Sequence, residues 1–419
     1  MVSKQKKIRL KSMNVIFLTM VPSSSLSERG IYTDLLRHFV ANGHKVYVVY
    51  PYERRLGKAT EAYEVDGAHF LGVKTLNLQK TNVAEKGIGQ VLVETLFKKA
   101  IKKYWKNERF DLILYSTPPI TLTGTIRYLK KNNPSAKTYL LLKDIFPQNA
   151  VDIAMIPNTG LKSILYKFFR NKEKELYKIS DCIGCMSPAN VDYLLSHNPE
   201  LSKDKVEVAP NSLELVDEII DNDRNVLREF INSKYNIPID KPIFIYGGNL
   251  GRPQGIDYLV KCLEINKHRK DCYFVVVGNG TEYQKLVTWS QNNQDGCVIV
   301  MPGMPKDDYD MLVRACDVGL IFLDHRFTIP NYPSRLLSYM ENKMPVICAT
   351  DVNTDIGKIA AANGYGYWCE SVKPEDFTVL VDKMLHSDIQ QMGQKAYNFL
   401  KANYQVEHTY NAIIKHFNV

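Results

Sequence analysis

One stretch late in the chain decides the fold: residues 332–347, which read YPSRLLSYMENKMPVI. The pattern predicts a loop, then an amphipathic helix, then the start of a buried strand. The turn into the helix carries Ser334, which offers a hydroxyl and a helix cap, and Arg335, a fixed cation with five N–H donors. Because a helix N-terminus also presents unpaired backbone N–H groups and a partial positive charge, the stretch suits a phosphate or diphosphate. An ordinary capped helix with a surface arginine has the same pattern.

Strand-like and helix-like segments alternate on both sides of this stretch, which predicts parallel sheets wrapped by helices. One series runs from a strand at 14–20 to a strand at 206–209, and a second from a strand at 242–246 to one at 346–349. The charged segment 212–240 between them has few strand signals, so we place a domain junction there. Two successive open parallel sheets predict a ligand cleft between domains, at the carboxyl ends of the strands.

The composition is that of a globular protein of two domains, with 419 residues, 45% of them hydrophobic and 24% charged. No apolar run approaches the ~18–20 residues that a membrane-spanning helix needs. We interpret the basic segment 1–11 and the apolar residues after it as a basic tail and a first buried strand, not as a secretion signal. The eight cysteines mostly lie in apolar, strand-like runs, which predicts buried free thiols.

The charge of the chain is concentrated in its first half. Residues 1–200 contain 31 Lys and Arg against 17 Asp and Glu, whereas residues 201–419 contain 23 against 28. This distribution indicates an anionic surface or ligand on the side of the first half. Two segments there, 96–106 and 161–178, mix apolar or aromatic residues with basic ones. Such helices either lie on an anionic leaflet, which we favour, or pack an apolar stripe on the sheet with a basic face in solvent.

A glycine-rich loop at 247–252, which reads GGNLGR, follows a strand and precedes a helix. Glycines let backbone N–H groups come close to a phosphate. The spacing is neither that of the dinucleotide-binding fingerprint nor that of a P-loop, and a tight turn has the same composition. Paired with Ser334 and Arg335, the loop predicts a diphosphate clamp with two sides.

Two acidic segments contain candidates for chemistry. Asp144 follows Lys143 at the end of the predicted strand 138–142, where active-site groups collect in parallel sheets. Its carboxylate is a candidate to orient an acceptor hydroxyl or to act as a base, and it equally suits a helix or turn cap. Asp308 and Asp310 are spaced like a metal motif, but we expect them to complement the dipole at the start of a helix. The sequence therefore predicts no metal site.

Six segments spread over nearly the whole length carry a recognisable pattern. In chain order they are ANGHKV at 41–46, KDIFP at 143–147, VEVAPN at 206–211, GGNLG at 247–251 with QG at 254–255, VGNG at 277–280, and the stretch at 333–347. Together they resemble the GT-B glycosyltransferases of family 4, which are retaining and use nucleotide sugars. Within that family the chain is similar to bacterial enzymes of capsule, O-antigen and exopolysaccharide synthesis.

The resemblance implies an α/β fold of the GT-B type, in which two Rossmann-like domains face each other across a cleft. Residues 1–211 with about 404–419 would form the acceptor-side domain, and 212–403 the domain that binds the nucleotide sugar. No metal or other cofactor is implied, because the helix dipole and basic side chains neutralise the leaving diphosphate. The implied site residues are Asp144, Arg252 and Arg335 for catalysis, Gly247, Gly248, Asn249, Gly251, Met304, Ser334 and Leu336 for the donor, and Ser27, Arg29, Gly30 and Lys143 on the acceptor side.

The chain departs from the family pattern at one point. Two glutamates, separated by seven residues, often contact the donor there, and this sequence has Pro330 and Ser338 at those positions. Neither residue supplies a carboxylate. The lysine that often precedes the glycine at 255 is Gln254, which leaves Arg252 as the cation of that loop.

The expected function is transfer of a hexose or N-acetylhexosamine from a nucleotide diphosphate, UDP favoured, to a lipid-linked saccharide. The expected partners are the nucleotide sugar, a polyprenyl diphosphate saccharide and an anionic membrane surface, and no nucleic acid. The protein would then be cytoplasmic and peripheral on the inner face of the cell membrane. Two alternatives stay open. One is a sugar-nucleotide epimerase of similar form, and the other is a non-enzymatic protein that binds anionic polymers or membranes.

Overall fold

The structure is a computed structural model. It describes residues 12–417 except 79–80, 82, 158, 161–162, 216–223 and 295. The predicted basic tail at 1–11 therefore lies outside the described residues. Within them, no helix is long and apolar enough to cross a membrane. All eight cysteines lie in the described part of the chain and are free and buried, as predicted.

The first domain is built on a sheet that has eight strands within the described residues. The strands are β1 (Asn14–Leu18), β2 (Lys45–Glu53), β3 (Glu61–Val65), β4 (Ala68–Thr75), β5 (Leu112–Ser116), β6 (Lys137–Leu142), β7 (Cys182–Cys185) and β8 (Val206–Val208). They lie in the order β3-β4-β2-β1-β5-β6-β7-β8, and β3 is antiparallel to β4 while the other described pairs are parallel.

Helices cover both faces of this sheet, because its central strands are apolar on both sides. The helices are α1 (Thr33–Ala41), α2 (Val83–Tyr104), α3 (Thr123–Asn132), α4 (Gln148–Asp152), α5 (Ser163–Ile179) and α6 (Pro188–His197).

The second domain is built on a sheet whose six described strands are all parallel. They lie in the order β11-β10-β9-β12-β13-β14, where β9 is Ile243–Asn249, β10 Tyr273–Asn279, β11 Val298–Pro302, β12 Val318–Phe322, β13 Val346–Thr350 and β14 Gly366–Glu370. Its helices are α7 (Arg224–Tyr235), α8 (Ile256–Asn266), α9 (Tyr283–Gln291), α10 (Lys306–Ala315), α11 (Arg335–Glu341), α12 (Ile356–Ala362), α13 (Pro374–Leu385) and α14 (Ile389–Asn403).

The last helix, α15 (Val406–Ile414), returns to the first domain and packs against α1. The hydroxyl of Tyr410 lies 2.8 Å from Nε2 of His44, and its ring contacts that of Phe39 edge-on. Just before this helix, Gln405 forms an isolated bridge with Leu213. The chain therefore crosses between the domains twice, near residues 213 and 405.

The predicted glycine-rich loop at 247–252 begins inside a strand. Gly247, Gly248 and Asn249 are the last residues of β9 and pair in register with 277–279 of β10. The loop prediction was therefore wrong for these three residues. The strand continues past its apolar part because the glycines let two backbones pair closely where side chains would collide.

Candidate functional site

A cavity of about 1240 Å³ lies between the two domains, at the carboxyl ends of both sheets. Its volume exceeds the range of about 300–1000 Å³ that is typical of small-molecule pockets. The sequence predicted a cleft in this place. Of the site residues predicted from the sequence, Arg29, Gly30, Lys143, Asp144, Gly247, Gly248, Asn249, Met304, Ser334 and Arg335 line the cavity.

Four predicted site residues do not line the cavity. The side chain of Arg252 is 56% exposed and its Nε lies 3.6 Å from Oε1 of Glu282. Leu336 is buried in the core of the second domain. Ser27 shares a hydrogen bond of 2.7 Å with the hydroxyl of Ser25, and Gly251 lies outside the lining. The sequence placed these four residues near the site, but it did not show where the side chains of Arg252, Leu336 and Ser27 point.

The wall of the second domain is formed by closely packed backbone. Gly248 has a φ of +126°, which favours glycine. A Cβ on Gly278, the neighbour of Gly248 in the sheet, would lie 1.8 Å from the carbonyl oxygen of Gly248. The amide of Leu250 donates to the carbonyl of Asn279 at 2.9 Å. The main chain of Gly247, Gly248 and Gly278 therefore carries no side chain where β9 and β10 approach the cleft.

Arg335 places a cation beside this bare backbone. Its Cζ lies 3.4 Å from the position that a Cβ on Gly248 would take, and 4.4 Å from the centre of the Tyr246 ring. Nη1 of Arg335 is buried and has no hydrogen-bond partner. Among the described residues, no carboxylate lies within ion-pair distance of Arg335. Because a buried guanidinium nitrogen without a hydrogen-bond acceptor is unfavourable, this geometry suits an anionic ligand.

Ser334 takes a different role from the one predicted. It precedes α11, a helix of only seven residues, and its side chain makes no capping hydrogen bond. The predicted helix cap was therefore wrong. Ser334 is exposed and lines the cavity, so its hydroxyl is available to a ligand.

On the first-domain wall, Lys143 and Asp144 follow β6 and both line the cavity. Nζ of Lys143 donates to the carbonyl of Ala209 at 3.1 Å, and burial lowers the pKa of Lys143 to about 7. Nδ2 of Asn149 donates to Oδ1 of Asp144 at 2.6 Å. Burial raises the pKa of Asp144 to about 6, although this hydrogen bond and one from the backbone of Ile145 oppose the rise. Both groups therefore titrate close to neutral pH.

Two asparagines on this wall were not predicted as site residues. Oδ1 of Asn149 and Oδ1 of Asn211 are buried and accept no hydrogen bond, and both residues line the cavity. The amide nitrogen of Asn211 donates to the carbonyl of Tyr332 at 3.2 Å, which fixes the orientation of the group. Asn211 lies in the VEVAPN segment, which is a usable signal, whereas nothing around Asn149 distinguishes it. The two free acceptors suit hydroxyl donors on a ligand.

Glu341 is also a cavity residue that the prediction left out. Its carboxylate pairs with Arg29 of the first domain at 2.7 Å. Asp308 pairs with Lys234, and Asp310 pairs with Lys306. Over the described part of the chain, no group of three or more His, Cys, Asp or Glu side chains is placed to hold a metal ion.

Residues 228–400 match the family described as Glycosyl transferases group 1, which places a domain of this kind in the second half of the chain. The chain is also similar to the probable glycosyltransferase WbjE of Pseudomonas aeruginosa. The two are 25% identical over 333 residues, which are 78% of each chain.

Two solved structures show the same overall arrangement. The sucrose-phosphate synthase of Thermosynechococcus elongatus superposes with a TM-score of 0.72 at 14% identity, over 96% of this chain and 98% of that one. Anabaena HepE in complex with UDP-glucose superposes with a TM-score of 0.67 at 10% identity, over 97% of this chain and 99% of that one. At such low identity the likeness shows the fold alone. The chain has the GT-B fold that the resemblance implied.

Proposed function

We propose that this protein is a retaining glycosyltransferase that takes its sugar from a nucleotide diphosphate donor, with UDP favoured. One observation carries the proposal: Arg335 is a cleft cation without a carboxylate partner, next to bare backbone at the ends of β9 and β10. A diphosphate supplies the two negative charges and the oxygen acceptors that this arrangement lacks. The match of 228–400 to the group 1 glycosyl transferases spans these same elements and supports the assignment. The comparisons favour neither of the two alternatives.

The departing diphosphate is the group that needs stabilisation in this reaction. Arg335, the hydroxyl of Ser334 and the backbone N–H groups near Gly248 are the donors closest to where it would lie. Preorganised donors at a site of developing charge lower the barrier, because they need no reorganisation during the reaction. We propose that they neutralise the diphosphate without a metal cofactor. The acceptor hydroxyl attacks from the face that the diphosphate leaves, without a covalent intermediate.

The first-domain wall would hold the acceptor. Asp144, as a carboxylate, accepts the hydrogen bond of the attacking hydroxyl, and the free oxygens of Asn149 and Asn211 accept from other hydroxyls. Lys143, as an ammonium, holds an oxygen of the acceptor. We propose a saccharide linked to polyprenyl diphosphate as this acceptor, in the synthesis of a cell-surface polysaccharide at the cytoplasmic face of the membrane. Met155, which is 60% exposed and lines the cavity, gives the cleft an apolar margin suited to a lipid.

The donor assignment is tested by a thermal-shift panel of UDP-, GDP- and dTDP-sugars against the purified protein. A ligand that binds only the folded protein raises its apparent stability with the logarithm of ligand concentration. We expect the UDP-sugars to raise the melting temperature of the wild type but not of Arg335→Ala. Arg252→Ala is the matched control and should respond like the wild type. If no nucleotide sugar shifts the wild type, the proposal is wrong.

The reaction is tested separately. Protein and UDP-sugar, without acceptor, should leave the sugar unchanged over the time in which added acceptor is glycosylated. Conversion of the free donor into another sugar would instead identify an epimerase.

A further inference from the structure

Within the described residues, seven large apolar side chains of the first domain are exposed in the first halves of α2 and α5 and in the segment before α5. Their exposure reaches 70% at Ile164. We call this set the apolar rim. Its members are Ile88, Val91 and Leu92 on α2, Met155 between α4 and α5, and Ile164, Leu165 and Phe168 on α5.

The apolar rim on α2 stands at the edge of the sheet that faces the cleft. The helix α3, which follows β5, begins at this carboxyl edge. At its start, the hydroxyl of Thr121 donates to the carbonyl of Gln90, and that of Thr125 donates to the carbonyl of Glu94, each at 2.8 Å. Residues 90–94 of α2 are therefore level with the edge. The turns of α2 before residue 90 project past it.

The apolar rim on α5 also lies towards the cleft. Arg127, in the first half of α3, pairs with Glu175 in the last half of α5, and the hydroxyl of Thr123 lies 3.4 Å from the same carboxylate. The part of α5 that precedes Glu175 therefore runs on towards the cleft, and Phe169 in it contacts Phe146, which follows β6. Met155 joins the two sites, because it belongs to the apolar rim and also lines the cavity.

Packing within the domain does not account for the apolar rim. The inward face of α2 is separate and carries Val93, Phe97 and Ile101, which are buried in the core. On α5, Leu176 and Tyr177 are buried in the same core. The rim residues of α2 and α5 lie at outward positions with helical spacing, and no described part of the chain covers the apolar rim.

The same outward faces become basic away from the cleft. On α2 the exposed lysines after the apolar turns are Lys98, Lys99, Lys102 and Lys103, and on α5 they are Lys174 and Lys178. The acidic neighbour Glu175 is already paired with Arg127 and Lys172. An apolar end followed by a lysine-rich stretch is the pattern of a helix that lies in an anionic membrane surface. Two copies of this chain would oppose like charges across such a face.

We infer that the apolar rim and the lysines behind it dock on an anionic phospholipid leaflet. The rim residues enter the boundary between headgroups and acyl chains, and the lysines contact anionic headgroups. In this orientation the cleft opens at the leaflet surface, where the lipid of a lipid-linked acceptor is anchored. The link to the acceptor rests on the proposed function, whereas the docking itself does not.

The test is co-sedimentation of the full chain with vesicles of phosphatidylcholine alone and of phosphatidylcholine with phosphatidylglycerol. We expect binding to the anionic vesicles, weakened by high salt, and little binding to the neutral ones. The double variant Ile164→Ser with Phe168→Ser should bind the anionic vesicles at least about tenfold more weakly. The double variant Lys99→Gln with Lys102→Gln should bind more weakly at low salt and lose part of the salt dependence.

The matched control is Val226→Ser with Val379→Ser. These two valines of the second domain are 58% and 61% exposed, but lie away from the apolar rim. The control should bind like the wild type. The inference is overturned if the wild type ignores both kinds of vesicle, or if the rim variant binds as well as the control. It is also overturned if the wild type self-associates and the rim variant does not, since the rim is then an interface between copies of the chain.

Failure of the docking and failure of the proposed function give different results. The rim variant should keep its thermal shift with UDP-sugar and its transfer to a short, water-soluble acceptor. Absence of vesicle binding with an intact UDP-sugar shift would refute only the docking. Vesicle binding with no sugar-nucleotide response would refute only the proposed function.

Discussion

Arg29 and Glu341 form an ion pair across the cleft, with Nη2 of Arg29 2.7 Å from Oε1 of Glu341. Arg29 lies in the loop before α1, and Glu341 is the last residue of α11. The same Nη2 donates to the backbone carbonyl of Glu214 at 2.6 Å. One guanidinium therefore joins the first domain, the junction between the domains and the helix that carries Arg335. The ion pair fixes the width of the cleft at this point.

Removing the acid of this pair should destabilise the protein. The side chains of Glu341 and Arg29 are 12% and 34% exposed, so Glu341→Gln leaves a partly buried guanidinium unpaired. Breaking a fully buried pair costs about 3–5 kcal/mol, and partial exposure reduces the expected loss here to about 1–3 kcal/mol. Urea unfolding measures the change, and a double-mutant cycle with Arg29→Met isolates the pairwise part.

The control for this prediction is the exposed pair of Lys285 and Asp257, whose side chains are 49% and 77% exposed. Asp257→Asn removes this pair but leaves the contact of Lys285 with Glu282, and should change the free energy of unfolding by less than about 1 kcal/mol. A coupling between Arg29 and Glu341 as small as that of the control pair would show that the ion pair does not hold the domains together.

Replacing Arg335 should remove most of the stabilisation of the leaving group. Loss of one preorganised charge-stabilising donor typically lowers turnover by about 10²–10³-fold. We expect kcat/KM of Arg335→Ala to fall by this factor. Arg335→Lys should recover little, because a lysine lacks the planar guanidinium that lies on Tyr246. Steady-state kinetics with saturating acceptor measures the effect.

Arg252→Ala is the comparison that decides between the two predicted cations. Arg252 faces Glu282 at 3.6 Å and does not line the cavity, so its removal should change kcat/KM by less than about tenfold, that is by less than 1.4 kcal/mol. A loss equal to that of Arg335→Ala would mean that Arg252 swings into the cleft when the donor binds.

The strands were predictable because buried parallel strands are continuous apolar runs. The strands predicted at 14–20, 138–142, 206–209, 242–246 and 346–349 are all present, with ends shifted by up to three residues. The strands β3, β4 and β14 were missed. The first is an edge strand, EAYEV, in which no residue is fully buried and two are acidic. In β4 the apolar run is interrupted by Gly72, where a Cβ would lie 2.3 Å from the ring of Tyr52. Gly72 is required by its contact with another strand, and the local sequence around it does not reveal that contact.

The site was predictable in position but not in detail. Lys143 and Asp144 after β6 and the last three residues of β9 line the cleft, because parallel strands end at one edge of a sheet. The direction of each side chain depends on tertiary partners, as Arg252 and Glu282 show. Glu341 is a cleft residue that the predicted site did not include. It lies one helical turn after Ser338 on the same side of α11, so the cleft has a carboxylate near a position where the sequence has none.

A methyl group on Gly248 should weaken donor binding. Its φ of +126° is unfavourable for any other residue, and the added Cβ would lie 3.4 Å from Cζ of Arg335. Strain of this kind costs about 1–3 kcal/mol, and the shift of Arg335 adds to it. We expect Gly248→Ala to raise the dissociation constant for UDP-sugar by at least about tenfold, as measured by titration calorimetry.

Gly57→Ala is the control for backbone strain alone. Gly57 has a φ of +66°, and a Cβ there would meet nothing within 4 Å. This variant should lose stability but bind the donor like the wild type. If both variants bind equally well, the backbone at Gly248 does not contact the donor.

The activity should have a narrow pH optimum, because two titrating groups face the acceptor from one wall. Asp144 accepts the hydroxyl only as a carboxylate, and its pKa is raised to about 6, so activity should increase as pH rises through that value. Lys143 binds an oxygen only as an ammonium, and its pKa is lowered to about 7, so activity should decline as pH rises through that value. The profile of kcat/KM is expected to be bell-shaped, with its maximum between the two pKa values.

The variant Lys143→Arg assigns the alkaline limb of this profile. Its side chain keeps its charge at every pH in this range, so the variant should lose the alkaline limb and keep the acidic limb. An unchanged alkaline limb in Lys143→Arg would assign that limb to another group, and a wild-type profile that is flat from pH 5 to 8 would refute both roles.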